Sequence, residues 1–207
     1  MNIAVTGGMG AGKSFVAEEL VELLCADSVS ADFLCRELLE PGQAGYEQMR
    51  KEFSSDFFLD GGSLNRSFLR KAIFTDDLLR EKINDILHPL VRNTLLGRCK
   101  SAMKQGVNLV VEVPLLFEKG WQDDFDTTLA VYADDETCLK RIVARDLVSI
   151  EDAKEAIACQ MPLLGKCKLA DWVIDNSGSF TETHTKLEQF TQKISTNSLF
   201  MGKCKKQ

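Results

Sequence analysis

The sequence predicts an α/β fold with a mostly parallel sheet. Two observations carry that expectation. Short apolar, β-branched segments alternate with longer amphipathic ones, the pattern of strands joined by crossover helices. The 207 residues hold one sizeable core and an inserted subdomain, with no internal repeat and no low-complexity linker.

Taken in order, Ile3–Thr6 reads as a short buried strand. Ser14–Cys25 reads as a helix with Val16, Leu20, Val21 and Leu24 on one face. Ala26–Ser30 is a short second strand. Asp32–Glu40 is helical and is stopped by Pro41-Gly42. From Gln43 to about Met103 the chain is mainly helical, broken by the turn Asp60-Gly61-Gly62. There the pattern Leu78, Ile83, Ile86, Leu87 runs up to His88-Pro89, a pair expected to end a helix. Because about 32–104 contains no clear strand, it reads as an insertion on one side of the sheet. Val107–Val113, closed by Pro114, and Thr127–Ala133 are strands. Thr137–Asp146 and Ile150–Cys159 are helices. Asp171–Asp175 is the last strand, before Asn176-Ser177-Gly178, and Phe180–Ile194 is the closing helix.

Composition narrows the function. The formal net charge is −6, which disfavours nucleic acid as the main partner. No apolar run approaches the ~20 residues that span a bilayer. Neither a membrane partner nor a secretory signal is expected, since Met1–Asn2 leads directly into Ile3–Val5. Seven scattered cysteines without a CxxC pair point to free thiols in a reducing cytoplasm, not to zinc or disulfides. The basic tail, Lys203–Lys206, reads as a frayed terminus.

The stretch GGMGAGKSF at 7–15 is the most informative in the chain. Gly7 and Gly12 with Lys13-Ser14 fit G-x-x-x-x-G-K-[ST], between an apolar strand and an amphipathic helix. Small residues let the backbone fold around a phosphate, and the helix start adds positive potential there. Lys13 supplies a mobile charge to the β- and γ-phosphates, and the Ser14 hydroxyl is a hard ligand for Mg²⁺. The loop therefore predicts a bound nucleoside triphosphate.

Other residues read two ways. Asp32 lies just beyond the second strand, where a carboxylate would orient an attacking hydroxyl, and equally where an N-cap would sit. Arg141 and Arg145, at i and i+4, share a helix face that either covers a polyphosphate or pairs with acids such as Asp146 and Glu151. Arg36 and Arg70 are further cations, read first as ordinary surface residues. His88 reads as structural and His184 as solvated. The Asn176-Ser177-Gly178 loop either edges a base or is a plain turn.

Together these residues resemble the dephospho-CoA kinase family. The resemblance covers roughly residues 3–178 in separated pieces: VTGGMGAGKS at 5–14, SADFLCRELLEPG at 30–42, LNRSFLRKAIF at 64–74, INDILHPLV at 83–91, EVPLLFE at 112–118, CLKRIVARD at 138–146 and LADWVIDNSG at 169–178. The first piece alone indicates only a P-loop protein; the combination is specific. The resemblance implies a P-loop fold of the nucleoside-monophosphate-kinase type, in three layers. It has a five-stranded parallel sheet, a core at about 1–31, 105–136 and 169–207, a helical substrate-binding insertion at about 32–104 and a helical lid at about 137–168. It implies cytoplasmic transfer of phosphate from ATP, with Mg²⁺, to the ribose 3′-hydroxyl of dephospho-CoA, by a monomer or small homo-oligomer. Gly8 and Gly10, Ala11, Gly12, Lys13, Ser14 and Phe15 would hold the ATP phosphates, and Asp32 would be the base. Arg141 and Arg145 would fall in the lid, at least one of them touching phosphate. Thr6 would help position the acceptor, and Asn176 would lie by the adenine. Ser30 and Phe15 depart from the family, which often has an acid and a threonine there. Glu112, late on a strand where an acid linked to Mg²⁺ often lies, is left unassigned. The rivals are another small-molecule kinase of the same fold and a nucleotide-dependent switch.

Overall fold

The structure is a computed structural model and describes residues 1–204, apart from the side chains of Phe74 and of residues 197–204. Of the basic tail at Lys203–Lys206, residues 203 and 204 close the last helix, which ends at Cys204, and the residues after 204 lie outside what is described.

Strand β1 (Asn2–Gly7) is buried along its whole length, as an apolar central strand of a parallel sheet should be. It pairs in parallel with β3 (Leu109–Glu112) on one side and β4 (Thr127–Tyr132) on the other; Ile3 lies opposite Val110 and Thr127. β4 pairs in parallel with β5 (Trp172–Asp175). With β2 (Asp27–Ser30) at one edge, the order is β2-β3-β1-β4-β5. The connection after β1 runs toward β2 and the one after its neighbour β4 runs the other way to β5, and such a switch point opens a crevice beyond the carboxyl ends of the strands. Helix α1 (Lys13–Leu24) packs on the sheet and against α9 (Phe180–Cys204). Ile3, Val5, Val16, Leu20, Leu129, Leu187 and Phe190 form the centre of that core. Carboxylates pin the opposite end of the sheet: Asp126 accepts from the Asn2 N–H at 2.7 Å, and Asp171 from the Thr128 N–H and hydroxyl, both at 2.8 Å.

The chain separates into two compact units, Met1–Ser28 with the chain from Ala102 onward, and Val29–Ser101. The second unit holds α2 (Ala31–Leu38), α3 (Ala44–Glu52), α4 (Arg66–Thr75) and most of α5 (Asp77–Gln105). Its own core joins Leu39, Met49, Phe57, Leu64, Leu69, Ile83 and Leu87. The turn at Asp60-Gly61-Gly62 is closed by an antiparallel bridge between Phe58 and Leu64.

Two details depart from the sequence reading. His88-Pro89 does not end a helix; α5 runs through Pro89. A mid-helix proline removes one hydrogen bond and costs ~3 kcal/mol. The buried stripe Ile83, Leu87, Val91, Leu95, Cys99 and Ala102 continues across it, and each large side chain contributes about 1.5–3 kcal/mol. Burial wins. The sequence reading also names no helix between Ile150–Cys159 and the strand at Asp171–Asp175, yet α6 (Asp135–Asp146) and α7 (Ile150–Ala158) are followed by α8 (Leu163–Leu169). Pro162 opens α8, and Lys166 is its buried residue. The six cysteines whose side chains are described are free thiols. No helix among the described residues is long and apolar enough to cross a membrane.

His184 joins α9 to α1 by a hydrogen bond between its Nδ1 and Glu19, with Glu188 3.7 Å from Nε2. The Glu19 hydrogen bond raises its pKa above the ordinary 6.5, against some desolvation, and the charges of Glu19, Glu188 and Glu22 add to it. A raised folded-state value stabilises below the unfolded pKa and is lost as pH rises through the folded one. Thermal unfolding should therefore show wild type losing more stability than His184→Gln between about pH 6 and pH 8.5. Equal losses would remove the ion pair as a pH-dependent pin.

Candidate active site

The loop after β1 has one backbone solution. Gly10 and Gly12 lie at φ 76° and 88°, the left-handed region that side chains disfavour. There is no room for one either. A Cβ on Gly10 would lie 2.5 Å from the Cys138 carbonyl oxygen, and a Cβ on Gly12 would collide with the Asn176 amide. Helix α1 then starts at Lys13 with no capping side chain and no acid in its first turn. Its first N–H groups and the positive end of its dipole are left for an external anion. Lys13 Nζ donates to the Gly8 carbonyl at 3.0 Å. Ser14 Oγ donates to Glu112 Oε1, at the end of β3, at 3.2 Å. Phe15 meets Phe180 edge to face, 4.9 Å between centroids.

The loop's carbonyls point the other way and are held from behind. Asn176, directly after β5, is 3% exposed. Its Nδ2 donates to the Ala11 carbonyl at 2.8 Å and its Oδ1 accepts from the Thr183 hydroxyl at 2.9 Å. Arg141 on α6 donates to the Gly10 and Ala11 carbonyls at 3.5 and 3.4 Å and to the Asn176 carbonyl at 3.0 Å. The Asn176 amide, expected beside a base, is thus committed at both ends to the loop and α9. Arg145 separates from Arg141 despite the shared spacing. It makes a two-pronged pair with Asp146, at 2.8 and 2.7 Å, which is the surface-pair alternative for that residue.

Thr6 is fully buried, and its hydroxyl donates to the Pro114 carbonyl at 3.3 Å. That same oxygen accepts from Lys166 Nζ at 2.6 Å. Lys166 has no exposed surface and pairs with Glu118 at 2.8 Å, and Glu118 also accepts the Met161 N–H at 3.2 Å. Sequence reading named neither residue as functional. Lys166 sits in Lys-Cys-Lys with no periodic cue to burial, and Glu118 enters the sequence reading only as the last residue of the segment EVPLLFE.

The first unit thus brings together Thr6, the 8–15 loop, Glu112, Arg141 and Asn176. Asp32 belongs to the second unit, exposed in the first turn of α2. It is not the N-cap. Ser30 is, its Oγ accepting from the Phe33 N–H at 3.5 Å. The acid absent from position 30 is thus replaced by a capping hydroxyl. For metal chemistry, Ser14 and Glu112 place two hard oxygens side by side with no nitrogen or sulfur donor between them, which suits Mg²⁺.

Removing the Asn176 amide takes the acceptor from the buried Thr183 hydroxyl and leaves the Ala11 carbonyl only its longer 3.4 Å bond from Arg141. Asn176→Ala should cost about 1–3 kcal/mol in urea unfolding, the scale of one unsatisfied buried group. A loss below about 0.5 kcal/mol, the size of an ordinary surface change, would show that the loop is held by other means.

Known proteins point the same way as this geometry. A family model described as dephospho-CoA kinase matches residues 1–182. The dephospho-CoA kinase of Oceanobacillus iheyensis is 37% identical over 192 residues, 92% of this chain and 96% of the relative. The solved dephospho-CoA kinase of Campylobacter jejuni superposes with a TM-score of 0.71 at 27% identity, covering 95% of this chain and 98% of that one. The shikimate kinase of Acinetobacter baumannii, at 18% identity and TM-score 0.53 over 96% of this chain and 94% of that one, shares the fold alone. The architecture is that of the P-loop kinases, and the chain belongs to the dephospho-CoA kinase family.

Proposed function

We propose that this chain transfers the γ-phosphoryl group of ATP to the ribose 3′-hydroxyl of dephospho-CoA, releasing CoA and ADP in the cytoplasm. The observation that carries this reading is the uncapped, acid-free start of α1 behind the Gly12-Lys13-Ser14 turn, in a chain matching the family over residues 1–182.

In this reading the first N–H groups of α1 and Lys13 hold the β- and γ-phosphates. Lys13 has a flexible stem and can exchange the Gly8 carbonyl for a phosphate oxygen. Ser14, with Glu112 beside it, would hold Mg²⁺, which when bound neutralises charge on the phosphate oxygens. Asp32 accepts the hydrogen bond of the 3′-hydroxyl, aims its oxygen in line with the γ-phosphorus, and takes its proton. The loop at Asn176 borders the adenine. Thr6 acts through the Pro114 segment that it holds.

The two arginines divide the work. Arg141 keeps the loop in shape from behind. Arg145 is the one to reach phosphate. Its pair with Asp146 is solvent-exposed, and such pairs are worth only about 0–1 kcal/mol, so exchanging it for a phosphate costs little. The lid is the segment at about 137–168, closing over the nucleotide. Water competes with a ribose hydroxyl for the γ-phosphorus, so closure protects ATP from wasteful hydrolysis.

Incubating the protein with Mg-ATP and dephospho-CoA should yield CoA, detected by mass; another phosphorylated acceptor from a mixed panel would assign a different substrate. Asp32→Asn should lower kcat about a hundredfold with ATP binding intact, the scale of a lost general base. Near-normal turnover would take the base away from Asp32. Lys13→Ala should abolish transfer, and unimpaired transfer would remove the phosphate grip.

A further inference from the structure

Two adjacent turns of α4 carry Arg66, Ser67, Arg70 and Lys71, and these four side chains line an open depression of about 540 Å³. The spacing pairs Arg66 with Arg70 and Ser67 with Lys71, each at i and i+4, so all four look out from one face. Three positive charges are thus gathered on a chain whose net charge is −6.

This gathering is unfavourable as it stands. Like charges one turn apart repel. The first turn of α4 has no acid, and Arg66, its first residue, sits where the dipole disfavours a cation; Arg70 and Lys71 lie one turn further on. Glu40 answers only one of the three: it pairs with Arg66 at 2.6 Å, and the same guanidinium nitrogen donates to the Arg36 carbonyl at 3.3 Å. That fixes the Arg66 fork. Arg70 and Lys71 have no ion pair among the described residues. A helix that gathers three cations around one hollow, two of them without an ion pair, is arranged for an anion.

We propose that this face of α4 is the seat of the diphosphate of dephospho-CoA, an inference that rests on the function proposed above. The Arg70 fork and the Lys71 ammonium, beside the Glu40-held Arg66 and a Ser67 hydroxyl that donates to Asn65 Oδ1 at 2.8 Å, match a group with several charged oxygens better than a single carboxylate. The reaction has two substrates carrying linked phosphates, and the triphosphate of ATP is taken at the start of α1. The acceptor's diphosphate remains. A held diphosphate is also useful: it lies away from the reacting hydroxyl, so its binding energy contributes to orientation at the other end of the same molecule.

The test removes the two cations that have no acid partner and leaves the Arg66–Glu40 pair intact. In Arg70→Ala/Lys71→Ala the KM for dephospho-CoA should rise about tenfold or more, the effect of one lost charge-assisted hydrogen bond or better, while the KM for ATP moves less than about twofold. Arg70→Lys keeps the charge without the fork and should fall between. Lys100→Ala on α5, which removes one charge elsewhere in the same unit, should alter neither KM. An unchanged KM for dephospho-CoA in the double variant, with CoA still formed, would overturn the α4 seat and leave the proposed function standing. A matching rise in the KM for ATP would overturn it as well, by assigning the face to the nucleotide. If wild type forms no CoA, calorimetric binding of dephospho-CoA to wild type and to the double variant decides: a tenfold weaker affinity upholds the seat and equal affinity, or no binding to either, sinks it.

Discussion

A backbone that turns its N–H groups toward a phosphate must turn its carbonyls away from it, and the Ala11 carbonyl pays for that choice by facing the interior. Ala11 is fully buried. Its oxygen is met by the Asn176 amide, 165 residues later, and by the Arg141 guanidinium, 130 residues later. Leaving such a group unpaired would cost about 1–3 kcal/mol, so the loop's shape is enforced from the end of β5 and from α6 as well as by its glycines. The approach is so close that Gly12 cannot carry a side chain, because the Asn176 amide occupies the space. The phosphate grip is therefore a tertiary structure. It exists because β4 and β5 lie in register beside β1 and deliver Asn176 to the right level.

This separates what the chain shows locally from what only folding reveals. The strands β1, β3 and β4 are apolar and β-branched and are surrounded by helical periodicity, so they are legible one by one. The loop is legible because its glycines, Lys13 and Ser14 are contiguous. The partition of Arg141 from Arg145 is not. Both lie on α6 at helical spacing, and nothing in the sequence says that one turns into the loop's carbonyls while the other finds Asp146. Position 32 is similar. Its acid reads either as an orienting carboxylate or as a cap, and the capping side chain is two residues earlier, at Ser30. Pro89 misleads for another reason. A proline rule is local, whereas the buried stripe from Ile83 to Ala102 is a sum over six side chains.

Anion handling in this chain follows from charge placed locally against an acidic background. The start of α1 offers a bare helix end, one lysine and no acid. Several other helix starts are closed by side chains: Ser30 caps α2, Asn65 caps α4, Asp134 caps α6 through the Thr137 N–H, and Ser149 with Asp152 closes α7 by a reciprocal pair, whereas α3 and α8 have no capping side chain. Asp134 is held below its ordinary pKa chiefly by that Thr137 N–H, the response of a carboxylate placed at a helix start. What sets α1 apart from the uncapped α3 and α8 is the glycine loop and Lys13 at its open end. Where α1 leaves its end open, the sequence has declined the usual stabilisation and kept the potential for a ligand.

A second brace, of a different kind, holds the segment leaving β3. At Asn176 the loop is held by a neutral amide, which is cheap to bury when both ends are bonded. At Pro114 the oxygen is shared between the Thr6 hydroxyl and Lys166, a fully buried cation. A buried lysine costs several kcal/mol in lost hydration, and a well-packed apolar residue would often do as well for stability alone. Glu118 offsets that charge but strands one of its own carboxylate oxygens, which finds no partner among the described residues. Stability is thus a poor account of the arrangement. An ion pair differs from apolar packing in fixing direction: Lys166 has to point at Pro114 and Glu118 together, so α8 is locked to β1 and to the chain after β3 in one register. That register sets where Thr6 and Glu112 end their strands, and with them the edge of the phosphate site.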